Sequence, residues 1–361
     1  MKAAFLYGPG NIKIQECQIP IISEREALVR VRACAICQND LRFYAGLKKY
    51  ISEGDASYGL TGHEWAGEVV KVGKEGIELS EGDRVVFSQL YPCRGCRFCK
   101  KGLFNLCVNK IQIGGGFAEY AKAPLENLIK IPEDLSYESA CLAEPVACAV
   151  QAHTKSNIRE GYKVAIIGDG PMGLIHLHLA KESRTKTFVI GHHDEKLKIA
   201  SHIGADVVLN SKKETTIEKF KELTTDNTHI RSEFMVIDDT KIVRETIDSS
   251  GADVVIVTVG NKDAIEQAFE LVCVGGTINL FASIFPPIKL EVDPNVIHYQ
   301  QLVLTGSRDY TPEIFKKALT LISRKVIHTN LLISHRLPLS QLQNGFEEIL
   351  KRKSLKIIIN P

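Results

Sequence analysis

Four cysteines, Cys93, Cys96, Cys99 and Cys107, fall within fifteen residues in the run YPCRGCRFCKKGLFNLC, a C-x2-C-x2-C-x7-C spacing. Thiolates two residues apart on a tight turn reach one tetrahedral centre at a Zn–S distance of about 2.3 Å, and four of them leave no open position, which defines a structural zinc site. Iron–sulfur runs also begin C-x2-C-x2-C, but the fourth spacing and the missing Cys-Pro speak against that metal. A second set is dispersed: Cys37 in ACAICQNDL, His63 and Glu64 in TGHEWAGEVV, and Glu144 in CLAEPVACAV. A thiolate, an imidazole and carboxylates suit the open, three-ligand site of a catalytic zinc. Each is weak alone, because an isolated Cys or His is as a rule a packed residue, so the second set carries weight only as a set.

A third constellation is Gly168-Asp169-Gly170-Pro171-Met172-Gly173, directly after the apolar run KVAII and directly before the helical PMGLIHLHLAKES. Its glycines allow a tight turn and let the backbone approach a pyrophosphate, whose charge the helix N-terminus favours. G-x-G-x-x-G is weak by itself, and the strand-to-helix setting makes it a dinucleotide signal. About 20 residues further on, an Asp or Glu would bind the adenosine ribose of NAD. The chain there reads VIGHHDEK, with Gly191 where the strand runs out and His192, His193 and Lys196 after it. Loss of the acid removes repulsion towards a 2′-phosphate, and the His and Lys side chains can hydrogen-bond to it, so NADP is expected over NAD. The competing reading is a polar turn in which Asp194 caps the next helix or binds the ribose itself.

These residues need elements to hold them. The chain has 361 residues, about twice the usual domain size, so two domains with separate cores are expected. Residues 1–149 carry short β-rich runs such as ALVRVRA, WAGEVVKVG and DRVVFSQL between Gly, Pro and Asp turns, the pattern of a β-barrel-like domain. From residue 150 strands and helices alternate, which argues for an α/β domain with a doubly wound parallel sheet. The polar stretch between Asn210 and Asp253 is longer than one helix and one connection need, so an extra hairpin or loop is expected near 226–240.

Lys+Arg number 45 against 43 Asp+Glu, with no block of one sign, which removes the electrostatic case for nucleic acid or a membrane surface as partner. A small-molecule substrate is expected instead. The N-terminal residues lack the apolar stretch of a signal peptide, and no run reaches the roughly 18 apolar residues of a membrane span. A cytoplasmic setting with reduced cysteines is the expectation.

Taken together, the chain resembles the zinc-containing medium-chain dehydrogenase/reductase family, the alcohol, sorbitol and threonine dehydrogenase group, over essentially its whole length. The motifs that carry the resemblance are Cys37 with Asp40 three residues later, Gly62-His63-Glu64 leading to Gly67, the four-cysteine lobe, Glu144-Pro145, GDGPMG and Gly275-Gly276. It implies a GroES-like β-barrel catalytic domain from residues 1–149 and 296–361, with a Rossmann coenzyme domain, 150–295, inserted between them. It also implies two zinc ions per chain: a catalytic one at Cys37, His63, Glu64 and Glu144, and a structural one at the four clustered cysteines. A homo-oligomer, dimer or tetramer, is expected.

A liver-type alcohol dehydrogenase would have Cys at the position of Glu144, so the acid steers the reading towards the polyol and sugar branch. The implied reaction is zinc-dependent hydride transfer between NAD(P) and the secondary alcohol of a polyol, sugar, sugar phosphate or cyclitol. Simple alcohols and L-threonine are the alternative substrates. A non-catalytic zinc-ribbon binding protein is the reading from another class, opposed by the balanced charge and the intact glycine motif.

The family usually has Ser or Thr two residues after the zinc cysteine, passing the alcohol proton outward, often to a His three residues further on. Here those positions are Asn39 and Arg42. An amide is neither a useful acid nor base at neutral pH, so the proton is expected to leave through a water on the metal, Glu64, Glu144 or a substrate hydroxyl. Arg42, Phe43, Tyr44, Arg308 and Tyr310 are expected near substrate, Arg308 because it resembles an arginine that in sorbitol dehydrogenases approaches substrate or cofactor. Trp65 reads as a packed aromatic, and His176 and His178, two apart on a helix, do not share a face for chelation.

Overall fold

The computed structural model describes residues 1–48, 62–74, 78–112, 114–213, 215–225, 232–238, 241–247 and 250–361. They form two compact units, Met1–Cys148 with Asp309–Pro361, and Ala149–Arg308.

The first unit is organised around one long strand, Glu26–Ala35, in which Val29, Val31 and Ala33 are buried while Arg30 and Arg32 stay exposed, the period-2 alternation of a sheet with one covered face. One edge pairs antiparallel with Glu64–Val72. The other edge is shared, by Tyr120–Pro124 along Glu26–Arg30 and by the C-terminal strand Lys356–Asn360 at Cys34 and Ala35. Arg84–Phe87 and Leu128–Lys130 extend the sheet beyond Glu64–Val72, and Ile333–Pro338 lies parallel beyond Lys356–Asn360. Its core includes Val31, Trp65, Val85, Phe87 and Phe346. Trp65 stacks on Phe87 with centroids 4.5 Å apart, so the lone tryptophan is a packed aromatic as expected. Phe43, Tyr44 and Tyr310 are also buried, Tyr44 stacked on Phe346 and Tyr310 against Phe315. Large rings contribute most where they are covered; Phe43 and Tyr44 belong to this core, and the Tyr310 hydroxyl accepts from Ser88 Oγ at 3.4 Å.

The second unit holds six parallel strands in the spatial order Val207–Asn210, Lys186–Gly191, Lys163–Ile167, Ala252–Val257, Val272–Leu280 and Val303–Gly306. Counted along the chain within this sheet, the order is 3-2-1-4-5-6, the doubly wound arrangement that binds dinucleotides where the order reverses. Its inner strands are continuous apolar runs, with Val164, Ala165, Ile166, Val254, Val255 and Ile256 all buried, as covered parallel sheets require. Local signals set the helices. Asn261 caps Lys262–Leu271 by accepting the Ala264 N–H at 2.7 Å, and Gly204, in the left-handed region at φ 108°, ends Asp194–Ile203.

The extra hairpin is present as the antiparallel strands Ser232–Asp238 and Lys241–Ile247, with Asp238 opposite Lys241. The second unit runs past the expected boundary at 295, to Arg308, because Val303–Gly306 still pairs in parallel with Thr277–Leu280. Among the described residues, no helix is long and apolar enough to cross a membrane.

Candidate active site

Cys37 lies two residues beyond the long strand and caps the seven-residue helix Gln38–Tyr44. Its Sγ accepts the Asn39 N–H at 3.5 Å while Asp40 accepts the Cys37 N–H at 3.1 Å, a capping box with a thiol in place of a hydroxyl. The other oxygen of the buried Asp40 stands 3.7 Å from His63 Nδ1. Glu64 opens the neighbouring strand and is paired opposite Ala35, so the ladder that joins the two strands brings His63 and Glu64 to Cys37. The ligand atoms of Cys37, His63 and Glu64 all lie within 4.8 Å of one another. Burial pushes the Cys37 thiol up, and the adjacent His63 pulls it back. A thiolate, an imidazole and a carboxylate at this spacing fit a zinc ion with a position left open.

Glu64 has a partner that the sequence reading did not foresee. Lys356 Nζ donates to both carboxylate oxygens, at 2.5 and 2.6 Å, and to the Ile36 carbonyl at 3.3 Å, with both side chains buried. Burial pulls the ammonium pKa down, but Glu64 and Cys37 more than offset it, and the net shift is upward. Its signal in the sequence is a lone lysine at the head of the apolar run KIIIN.

Glu144 stands beside this cluster, in the first turn of the helix Ala143–Ser156, rather than within its 4.8 Å set. Gln89 Nε2 donates to its Oε1 at 2.6 Å, and the Cys148 thiol lies 3.8 Å from the same oxygen. Burial pushes the Glu144 carboxyl up to about 7, against the downward pull of His63. Neither Gln89 nor Cys148 stood out in the sequence, since each is a single residue brought in by packing. Asn39 holds no hydroxyl to relay a proton, and its Oδ1 accepts from Lys48 Nζ at 2.7 Å.

The four clustered cysteines form a separate lobe in which all sulfurs lie within 4.8 Å of one another. Cys96 Sγ is 3.6 Å from Cys99 Sγ and 3.9 Å from Cys107 Sγ, and none of the four is in a disulfide. Sulfurs at the corners of a tetrahedron with Zn–S of about 2.3 Å are roughly 3.8 Å apart, so the lobe has the dimensions of a closed zinc site. Backbone N–H groups, that of Cys99 foremost, bring Cys96 down to about 6, and burial with the neighbouring sulfurs takes Cys99 up to about 12.

In the second unit, Gly168 follows the Lys163–Ile167 strand at φ 123°, and Gly170 precedes Pro171, the first residue of the helix Pro171–Glu182. No side chain caps that helix, which leaves its first N–H groups available to a ligand. A Cβ on Gly173 would lie 1.9 Å from the Gly168 carbonyl oxygen, while a Cβ on Gly170 would meet nothing within 4 Å. The loop is thus closed on its inner side and open on its outer side, a cradle that fits a pyrophosphate. Met172 is half-buried and Gly191 is buried at the end of its strand. Beyond it His192 is exposed and His193 half-buried, whereas Lys196 is buried. Asp194 is engaged by Asn210 at 2.6 Å and by Lys213. Arg308 is an exposed residue at the end of this unit.

Residues 23–133 match the alcohol dehydrogenase GroES-like domain, and residues 171–324 match the zinc-binding dehydrogenase domain. The chain is 29% identical to the sorbitol dehydrogenase of Bacillus subtilis, over 100% of this chain and 97% of that protein. It is 30% identical to the L-threonine 3-dehydrogenase of Symbiobacterium thermophilum, over 98% of this chain and 95% of that one. A crystal structure of a zinc-binding dehydrogenase from Sinorhizobium meliloti 1021, bound to NADP, superposes with a TM-score of 0.86 at 26% identity, covering 100% of this chain and 99% of that one.

Proposed function

This chain belongs to the zinc-binding alcohol dehydrogenase family, and from that membership we propose that it oxidises the secondary alcohol of a polyol, sugar, sugar phosphate or cyclitol with NADP, and reduces the ketone in reverse. The observation that carries the polyol reading is Glu144: a buried carboxylate, where a cysteine would mark the simple-alcohol branch, stands beside Cys37, His63 and Glu64. Similarity to a sorbitol dehydrogenase over the full length points the same way.

Cys37, His63 and Glu64, with Glu144 alongside, would hold one zinc, and Cys93, Cys96, Cys99 and Cys107 a second. Bound at the first site, zinc supplies a Lewis acid that polarises an alcohol or carbonyl oxygen. The residues themselves do the rest. Asp40 and Lys356 orient His63 and Glu64, as partners of metal ligands do. Gly168, Gly170 and Gly173, with the helix start at Pro171 and Met172, would take the pyrophosphate, and His192 and His193 would hold the adenosine 2′-phosphate. Glu64 has both oxygens committed to Lys356, so Glu144, buried beside the cluster and held by Gln89, is the carboxylate suited to exchange the substrate proton. Asn39 plays no acid or base part and serves as a hydrogen-bonding neighbour.

The protein is assigned to the cytoplasm, as a homo-oligomer. The Val303–Gly306 strand is a sheet edge with Val303 and Leu304 exposed, and a second copy of the chain would cover it. Light scattering after size exclusion reads this directly, and a monomer refutes it.

The deciding experiment is a panel of polyols, sugars and sugar phosphates, L-threonine and simple alcohols, each with NADP and NAD, followed by the absorbance of reduced cofactor. Turnover of polyols or sugars with NADP is expected. Turnover confined to L-threonine or simple alcohols overturns the substrate class, and a strong NAD preference overturns the cofactor.

A further inference from the structure

The strand Lys186–Gly191 ends on a glycine whose side-chain space is already taken. A Cβ on Gly191 would lie 2.5 Å from Asp169 Oδ2 and 2.6 Å from Asp169 Cβ. Asp169 is the residue between the first two glycines of the phosphate loop, and it reaches across to the tip of the adjacent strand, where it is buried. Its Oδ2 accepts the backbone N–H of His192 at 2.7 Å and of His193 at 2.8 Å. His193 Nδ1 lies 3.0 and 3.1 Å from its two oxygens.

An acid at the tip of the second strand ordinarily accepts the ribose hydroxyls of NAD. Here the carboxylate reaches that tip from a different loop, and protein donors occupy it. A carboxylate offers about four lone-pair sites. Three donors already share them, so little remains for a ribose. The same contacts fix His193. An ionised carboxylate only accepts, so Nδ1 carries the proton, and the second ring nitrogen, Nε2, is turned to the far side of the ring. About a third of the His193 side chain is exposed.

We infer that Asp169 is the positioning residue for cofactor selection: it clamps His193 as the ligand of the adenosine 2′-phosphate and excludes an acid from position 191. The inference rests on the NADP reading above and goes beyond it by assigning the discrimination to a residue in the phosphate loop. Its negative charge does not repel the phosphate as a free acid would, because two backbone N–H groups and an imidazole absorb it.

Calorimetric titration of the intact protein with adenosine 2′,5′-bisphosphate and with 5′-AMP isolates the 2′-phosphate without turnover. The wild type should prefer the bisphosphate. Asp169→Ala and His193→Ala should each shrink that preference about tenfold, the scale of one charge-assisted hydrogen bond, while 5′-AMP binding stays unchanged. A merely structural role for Asp169 would weaken both ligands alike. If His193→Ala loses the preference and Asp169→Ala keeps it, or if both keep it, the inference is overturned while the cofactor reading stands. If the wild type binds 5′-AMP as tightly as the bisphosphate, the cofactor reading falls and takes the inference with it. Should Asp169→Ala not fold, the double variant Asp169→Ala with Gly191→Asp returns an acid to the vacated space. It should reverse the preference, and retention of the bisphosphate preference overturns the inference.

Discussion

The ammonium of Lys356 sits 2.5 and 2.6 Å from the two carboxylate oxygens of Glu64, both side chains buried where the strands Glu64–Val72 and Lys356–Asn360 flank the end of Glu26–Ala35. Removing one partner of a buried ion pair leaves an uncompensated charge and costs about 3–5 kcal/mol. Lys356→Met should lower stability to urea by roughly that amount, and the double variant Lys356→Met with Glu64→Leu should regain most of it. Equal stability of Lys356→Met and wild type would show that the pair does not hold this end of the unit.

Closed tetrathiolate sites contribute folding energy rather than chemistry. Cys99→Ser should therefore lower the zinc content by one ion per chain and expose the segment around the lobe to protease. Retention of the full wild-type zinc content by the variant would be incompatible with the closed site.

Gly173 has no room for a side chain, since a Cβ would stand 1.9 Å from the Gly168 carbonyl oxygen. Backbone cannot yield as a flexible side chain can, and such overpacking costs about 1–3 kcal/mol. Gly173→Ala should weaken adenosine 2′,5′-bisphosphate binding about tenfold or more, the 1.4 kcal/mol scale of one decade, and leave zinc content unchanged. Unaltered nucleotide affinity would place the pyrophosphate elsewhere.

His176 is wholly buried in the second unit, stacked on His153 at 5.2 Å and met edge-on by Phe281 at 4.7 Å. Burial, with the charge of His153 adding to it, holds its pKa well below the usual histidine value of 6.5. The unfolded chain therefore binds more protons than the folded one as pH drops below that value. Stability should be at its full level above about pH 6.5 and fall below it by up to about 1.4 kcal/mol per pH unit from this group. Urea titrations at several pH values should show a shallower acid loss for His176→Phe than for wild type, and identical slopes would remove His176 from the acid response.

Much of the site is legible in the residues because its signals are local. The cysteine lobe and the glycine loop are set by spacings of a few residues, and both appear in the structure with the dimensions those spacings require. Cys37 and His63-Glu64 were legible as a set only through resemblance, since 26 residues separate Cys37 from His63. Phe43, Tyr44 and Tyr310 show the opposite limit: adjacency to Cys37 or to an arginine does not tell how far a ring is covered, and packing buries all three. The extension of the second unit to Arg308 leaves no trace in the residues, because its closing strand VLTG is too short to carry a period of its own.

By itself the sequence determines which chemistries the chain can support, because metal spacing, phosphate-loop glycines and strand-helix alternation follow from covalent connectivity. Only the tertiary structure decides how each charged group is partnered. Lys356 lies 292 residues from Glu64, and Asp169 meets His193 across two strands. Such pairs form when the sheet registers are set, and registers depend on the burial of whole faces rather than on any short run of residues.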